Sequence, residues 1–258
     1  MSLSYTQNFD GVSPPSTPAG WIFDSPWVTS TNGVPYSSPN QLSLTGAVAN
    51  TKYLGTYQTG DGSGSNPTTA TCSAWCKFSL PPAVPFGNDH YQGGIAFRGS
   101  ASTLNTSSTT FYLLYFDINQ GIGTGLICFS KMVSGTLTNI TSVDGSLGDS
   151  VFYFIQAALT WNGSANSITC SVQRNTDNYW LNGSGVWQSS QVAAITSADS
   201  SITSGEYFGV WGASPTGKNI WIDDFSINSN PSAGGAGGNR RPLDGMKFFS
   251  DMTGGIRG

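Results

Sequence analysis

The sequence predicts an all-β protein, a sandwich or barrel of many short strands, and three observations carry that prediction. The first is composition. The 258 residues include 33 Gly and 13 Pro, and only 9% are charged, against roughly 25% in an average soluble domain. Helical proteins need a solvated charged face, whereas many strands joined by many turns need Gly, Pro, Ser, Thr and Asn. The second is periodicity: apolar runs of strand length recur, with no sustained 3.6-residue pattern before residue 240. The third is punctuation. Asn32-Gly33, Asp61-Gly62, Asp144-Gly145, Asn162-Gly163 and Asn182-Gly183 mark turns between those runs.

Taken in order, strands are expected at Ser4–Phe9, Gln41–Leu44, Ala70–Leu80, Gln92–Arg98, Thr109–Ile118, Gly125–Lys131, Leu137–Ser142, Phe152–Trp161, Ser167–Arg174, Tyr207–Trp211 and Ile220–Ile227. Ala70–Leu80 alternates, so Cys72 and Cys76 share a parity and one face. Thr109–Ile118 contains the aromatic run Phe111-Tyr112-Leu113-Leu114-Tyr115-Phe116, and Phe152–Trp161 opens on another. Gly55–Thr69 reads as a long exposed loop. Asn175–Ser190 reads as a second loop, carrying Tyr179, Trp180 and Trp187 among Asn and Gly. Trp21, Trp75, Trp161, Trp211 and Trp221 read as core or sheet-packing residues.

The inventory of reactive groups narrows the chemistry. Thirteen of the 14 acidic residues are Asp, Glu206 is the single Glu, and His90 is the single His. A multi-histidine zinc site is excluded, and a catalytic triad would have to use His90. The net charge of −4 argues against nucleic-acid binding. No stretch approaches the ~18 apolar residues of a membrane span. Met1–Tyr5 lacks the basic and apolar regions of a secretory signal. Either synthesis and use inside a cell or in an assembly, or removal of a signal, accounts for that start. Cys72, Cys76, Cys128 and Cys170 all fall in strand-like runs and read as small buried thiols. A disulfide from Cys72 or Cys76 to Cys170 stays open.

Composition changes after Ile227. Residues 1–228 form the body, 229–238 a Gly-rich linker and 239–258 a basic, aromatic tail. Residues 229–258 hold four basic and two acidic residues, leaving the body at −6. A Gly-rich tether ahead of Arg240, Arg241, Met246, Phe248 and Phe249 has the form of a peptide ligand for a protein partner.

The opening Tyr5-Thr6-Gln7-Asn8-Phe9-Asp10-Gly11, followed by Pro18-Ala19-Gly20-Trp21, resembles the first strand and loop of concanavalin A-like domains of the laminin-G, MAM and adhesin kinds. The closing Trp221-Ile222-Asp223-Asp224-Phe225-Ser226-Ile227 is similar to their last strand. The resemblance spans about residues 4–228. It implies a two-sheet antiparallel jelly-roll sandwich, here with an extended C-terminal tail, and neighbouring first and last strands. It also implies a calcium site, with Asp10, Asp223 and Asp224 at loosely matching positions. Read without the resemblance, Asp223 or Asp224 caps a strand end or pairs with Arg98 or Lys218.

Glycanases of this fold use a pair of Glu on one strand, which a chain with one Glu lacks. A non-enzymatic role is therefore expected. Tyr179, Trp180 and Trp187 either form a glycan platform or plug the sandwich edge. Two functions fit. One is a virion surface component (capsid decoration, fibre or baseplate) anchored by its tail. The other is a secreted carbohydrate-binding or adhesin module.

Overall fold

The structure, a computed structural model, describes residues 3–24, 27–31, 35–44, 52–58, 67–78, 90–100, 109–119, 124–147, 151–213 and 219–231. The tail residues Arg240, Arg241, Met246, Phe248 and Phe249 lie outside them, as does Lys218. Among the described residues there is no helix.

The chain opens with β1 (Leu3–Gln7), β2 (Trp21–Phe23), β3 (Trp27–Ser30), β4 (Gln41–Leu44) and β5 (Lys52–Gln58). The long strands follow: β6 (Pro67–Phe78), β7 (His90–Gly99), β8 (Phe111–Asn119), β9 (Thr124–Val133), β10 (Thr136–Asp144), β11 (Tyr153–Trp161) and β12 (Asn166–Arg174). A small hairpin, β13 (Trp180–Leu181) and β14 (Trp187–Gln188), precedes β15 (Ile195–Asp199), β16 (Tyr207–Ala213) and β17 (Ile220–Pro231). They form two antiparallel sheets. The ten-stranded sheet runs β14-β13-β12-β11-β6-β17-β4-β3, with β1 beside β17 and β15 beside β12. The seven-stranded sheet runs β10-β9-β8-β7-β16-β5-β2.

Alternation explains how the sheets meet. From the ten-stranded sheet, Cys72, Ala74, Cys76, Phe78, Tyr153, Ile155, Ile168 and Val172 enter the core; Ile95, Phe97, Tyr112, Leu114, Phe116 and Phe129 enter from the other. The buried Ile, Leu, Val and Phe side chains among them each contribute about 1.5–3 kcal/mol. The run Phe111–Phe116 is apolar throughout because β8, inside the seven-stranded sheet, is buried on both faces. Phe111, Leu113 and Tyr115 join Leu54, Cys128, Met132 and Trp211 in a second cluster on the face away from the sandwich core.

The terminal motifs converge on one corner. Phe9, Trp21 and Phe225 are all buried, and the Trp21 ring lies 6.1 Å from Phe9 and 4.9 Å from Phe225. β1 pairs with β17 from Leu3↔Ser229 to Gln7↔Phe225, so the first and last strands are neighbours, as the resemblance implied.

Several expectations are corrected. Part of the loop expected at Gly55–Thr69 is strand: β5 runs to Gln58, and β6 begins at Pro67. Gly55 is required inside β5, because a Cβ there would run into Phe23 and Val210. The short strands β2, β3, β13, β14 and β15 carry too little pattern to be seen in advance. β17 continues to Pro231, three residues into the segment read as linker. The four cysteines are free and buried, as read from the sequence, and it is the disulfide left open there that is not made. Cys72 and Cys170 both register with Ala157, one from each side. They are therefore two strands apart, about 9–10 Å, beyond disulfide reach.

Candidate functional site

The expected aromatic trio folds onto the edge of the ten-stranded sheet. In the hairpin, Trp180 registers with Gln188 and Leu181 with Trp187. Leu181 is fully buried, so Trp187 shares the core side and Trp180 takes the outer side. Trp187 packs on the main core, 6.0 Å from the Tyr153 ring, and its indole N–H donates to the Gly145 carbonyl at 2.8 Å. It plugs the sandwich edge. Arg174 stands between Trp187, at 4.7 Å from the ring centroid, and Tyr179, at 5.8 Å. Its guanidinium donates to both carboxylate oxygens of Asp177, which holds that carboxyl below the usual range. The three aromatics therefore do not form one flat platform.

Trp180 belongs to another group. Gln173 registers with Trp180 and with Phe154, Phe154 with Trp75, and Trp75 with Asp223. Registered neighbours share a face, so these residues form one line across the outer side of the ten-stranded sheet. The Trp180 and Phe154 rings are 6.3 Å apart and edge-on, and Phe154 and Trp75 are 5.4 Å apart. Tyr36 then stacks on Trp75 at 4.0 Å, nearly parallel at 14°. Trp75, Phe154 and Trp180 are half-buried, and Tyr36 is 42% exposed. Of the two places expected for Trp75, core or sheet surface, it takes the sheet surface, packing on the outer face. Ala74 and Cys76 point into the core, and Trp75 has the opposite parity. That signal was present in the alternation of Ala70–Leu80; nothing local to the sequence announced Tyr36.

A carboxylate corner holds Tyr36 in place. β17 bulges between Asp223 and Ser226, and Asp224 takes a φ of 47°. The bulge directs Asp223 at the loop before β4. The Ser37 N–H donates to Asp223 Oδ2 at 2.8 Å, and the Ser37 hydroxyl donates to Asp224 Oδ1 at 3.0 Å. Asp10 fixes the same loop further on, accepting from the Asn40 N–H at 3.1 Å, while Asn40 Nδ2 donates to the Asp10 and Val12 carbonyls. Asp223 is fully buried. Burial pushes its carboxyl up to about 7 against the pull of the Ser37 and Asp224 N–H groups, with the Asp224 and Asp10 charges adding to the rise. Burial likewise raises Asp224.

The three expected calcium ligands thus come to one corner. Among the described residues, however, no three acidic, His or Cys side chains are grouped to hold a metal. In this structure N–H groups donate to Asp10 and Asp223, so the carboxylates clamp the loop before β4. Arg98 does not join it: buried, it donates to the Pro67 and Thr203 carbonyls.

No family profile matches the sequence, and no curated protein does. Solved structures do match. Basic winged bean lectin with Tn-antigen superposes with a TM-score of 0.54 at 14% identity, over 90% of this chain and 100% of that one. The CBM2 module of the evolved Dit of Lactobacillus casei BL23 phage J-1 gives 0.50 at 12% identity, over 88% and 96%. A xylan β-1,4-xylosidase from Bacillus halodurans C-125 gives 0.53 at 12% identity, over 87% of this chain and 39% of the enzyme. At these identities the likeness is one of fold. The chain has a concanavalin A-like jelly-roll fold, a scaffold found in these lectins, in a phage module and in part of an enzyme.

Proposed function

We propose that this chain is a non-enzymatic, lectin-like interaction protein of a virion surface, whose sandwich body binds glycan and whose C-terminal tail anchors it to a protein partner. The observation that carries the glycan reading is Trp180, held half-exposed beside Phe154 on the outer sheet face at the edge where Tyr179 is also exposed. Sugar rings present C–H faces that pack on such rings. The fold likeness to a lectin and to a phage module supports the same reading. A non-catalytic role is supported by the corner carboxylates. Asp223 is fully buried and engaged by backbone donors, out of reach of a glycosidic oxygen, and the chain's one Glu has no Glu partner. The tail anchor rests on Arg240, Arg241, Met246, Phe248 and Phe249 following a Gly-rich tether. A secreted module would share the glycan site and lack the need for that anchor.

The test is a glycan array probed with full-length protein and its Trp180→Ala variant, beside particle incorporation of Phe248→Ala with Phe249→Ala. Glycan signal lost with Trp180→Ala, without glycan cleavage, supports the body's role. Absence of any glycan signal contradicts it. Loss of incorporation with glycan binding intact supports the tail's role, and normal incorporation removes it.

A further inference from the structure

Resting on that glycan reading, we propose that the outer face of the ten-stranded sheet takes a linear, uncharged polysaccharide laid across its strands and held at two separate ends, Trp180 and Tyr36. Trp180 on β13 and Trp75 on β6 are three inter-strand steps apart, about 14 Å at ~4.8 Å per step. Tyr36 stacks on Trp75 at 4.0 Å and meets Phe152 edge-on at 5.5 Å, which makes it the exposed ring at the Trp75 end of the row. Within the row the rings brace one another: Phe154 meets Trp180 edge-on, and Trp75 is covered on one side by Tyr36. The middle rings are therefore supports, and the stacking surfaces lie at the ends. A single sugar reaches one end; a chain of several reaches both.

The ground beside the row suits sugar hydroxyls. One register further, Ser226, Ser73, Gln156 and Ser171 form a parallel line on the same face. The Ser73 and Ser226 hydroxyls are 2.9 Å apart; Ser73 and Ser171 are buried at the base of this line, and Ser226 and Gln156 are its partly exposed members. The next register places Thr71, Ala158 and Thr169. Short hydroxyl side chains leave a shallow floor along a raised ridge of rings, with donors and acceptors that no apolar peptide face would satisfy.

Charge sets the class of chain. Among the described residues, Lys77 near the row is only 9% exposed and lies over the Phe152 and Trp221 rings. Arg174 is tied to Asp177. Asp223 and Asp224 stand at the Tyr36 end. An anionic chain would meet the half-buried Asp224 carboxylate, and the partly exposed cation near the described row, Arg174, is already paired with Asp177. Tyr36 also arrives pre-positioned, because Asp223, Asp224 and Asp10 hold residues 37 and 40 of its loop. A chain binding there has no loop to order.

The experiment uses full-length protein and the neutral linear glycan giving the strongest array signal, supplied from monosaccharide to hexasaccharide and as polymer, with binding measured by calorimetry. Two-ended contact predicts about a tenfold gain from the shortest bound oligomer to the longest. Tyr36→Ala should remove that gain and leave the short-oligomer affinity at Trp180 unchanged, with its thermal midpoint unaltered as a check on folding. Loss of binding in Trp180→Ala, with no effect of chain length or of Tyr36→Ala, overturns the two-ended site while the glycan reading stands. A preference for anionic or terminal single sugars overturns it too. No binding to any glycan overturns both.

Discussion

Two tryptophans seven residues apart on one small hairpin do different work, and the difference is one of parity. Trp187 turns inward, packs against Tyr153 and gives its indole N–H to Gly145. Trp180 turns outward and touches Phe154. Truncating Trp187 removes half-buried apolar area, a hydrogen bond and one support of Arg174. Trp187→Ala should therefore cost about 2–3 kcal/mol of stability, read by denaturant unfolding, with glycan affinity retained in the folded protein. Trp180→Ala should change stability by under ~1 kcal/mol and abolish glycan binding. Equal stability losses in the two variants would contradict the assignment of faces. The cysteines are simpler. Burial pushes Cys128 up to about 12 and raises Cys72, Cys76 and Cys170 as well, so all four are protonated and inert packing residues.

At the scale of elements, the bulge in β17 links the oldest signal in the sequence to the newest in the structure. The Asp223-Asp224 pair closes the motif that resembles the family's last strand. It also pins the loop that delivers Tyr36 to the outer face. Because the folded Asp223 carboxyl titrates near 7 and its ordinary value is 3.8, the folded state holds a proton through that window that the unfolded chain has released. Stability from this group is thus full below the lower value, falls as pH rises and is gone above about 7. Asp224, raised in the same direction, adds to the trend, and Asp10 and Tyr36 face the same corner. The expected result is a titration midpoint near 7 for the Asp223 carboxyl by carbon NMR, with unfolding midpoints that decline from acid to neutral pH. A midpoint near that of a free carboxylate would contradict it.

How much of this was legible follows from how each element is encoded. β6, β8, β11 and β12 announce themselves because alternation or continuous apolar runs persist over nine or more residues. β2, β13 and β14, at two or three residues, are defined by their partners and by turn groups such as Asn182, whose side chain accepts from the Ser184 and Val186 N–H groups. β5 was hidden by Gly55, a residue that reads as loop and is in fact demanded by crowding. For the site, Trp180 was visible and Trp75 was visible in parity. Phe154 became the neighbour of both only through pairings between strands distant in sequence, and Tyr36 reached Trp75 through the clamp of Ser37 on Asp223 and Asp224, which no local pattern contains.

For the whole molecule, the two sheets differ in what they offer. The central strands of the seven-stranded sheet are buried on both faces, with Trp211 fully covered on the side away from the core, while its edge strand β10 is largely exposed. The ten-stranded sheet buries one face and leaves a ridge of half-exposed rings on the other. The body carries −6 and the tail segment +2, a division of charge that suits the proposed uncharged-ligand face and basic anchor. In the proposed assembly the two Phe and two Met of the tail contribute about 1.5–3 kcal/mol each when fully covered, and multiple copies strengthen weak single-site glycan contacts.

The most direct measurement is NMR of the eight tryptophan indole N–H resonances in the full-length protein during titration with the glycan selected by the array. Shifts at Trp180 and Trp75, with Trp211 and Trp27 unmoved, are the result predicted by a working surface on the outer face of the ten-stranded sheet. Shifts confined to Trp211, with Trp180 and Trp75 still, would place the ligand on the opposite sheet and contradict the account.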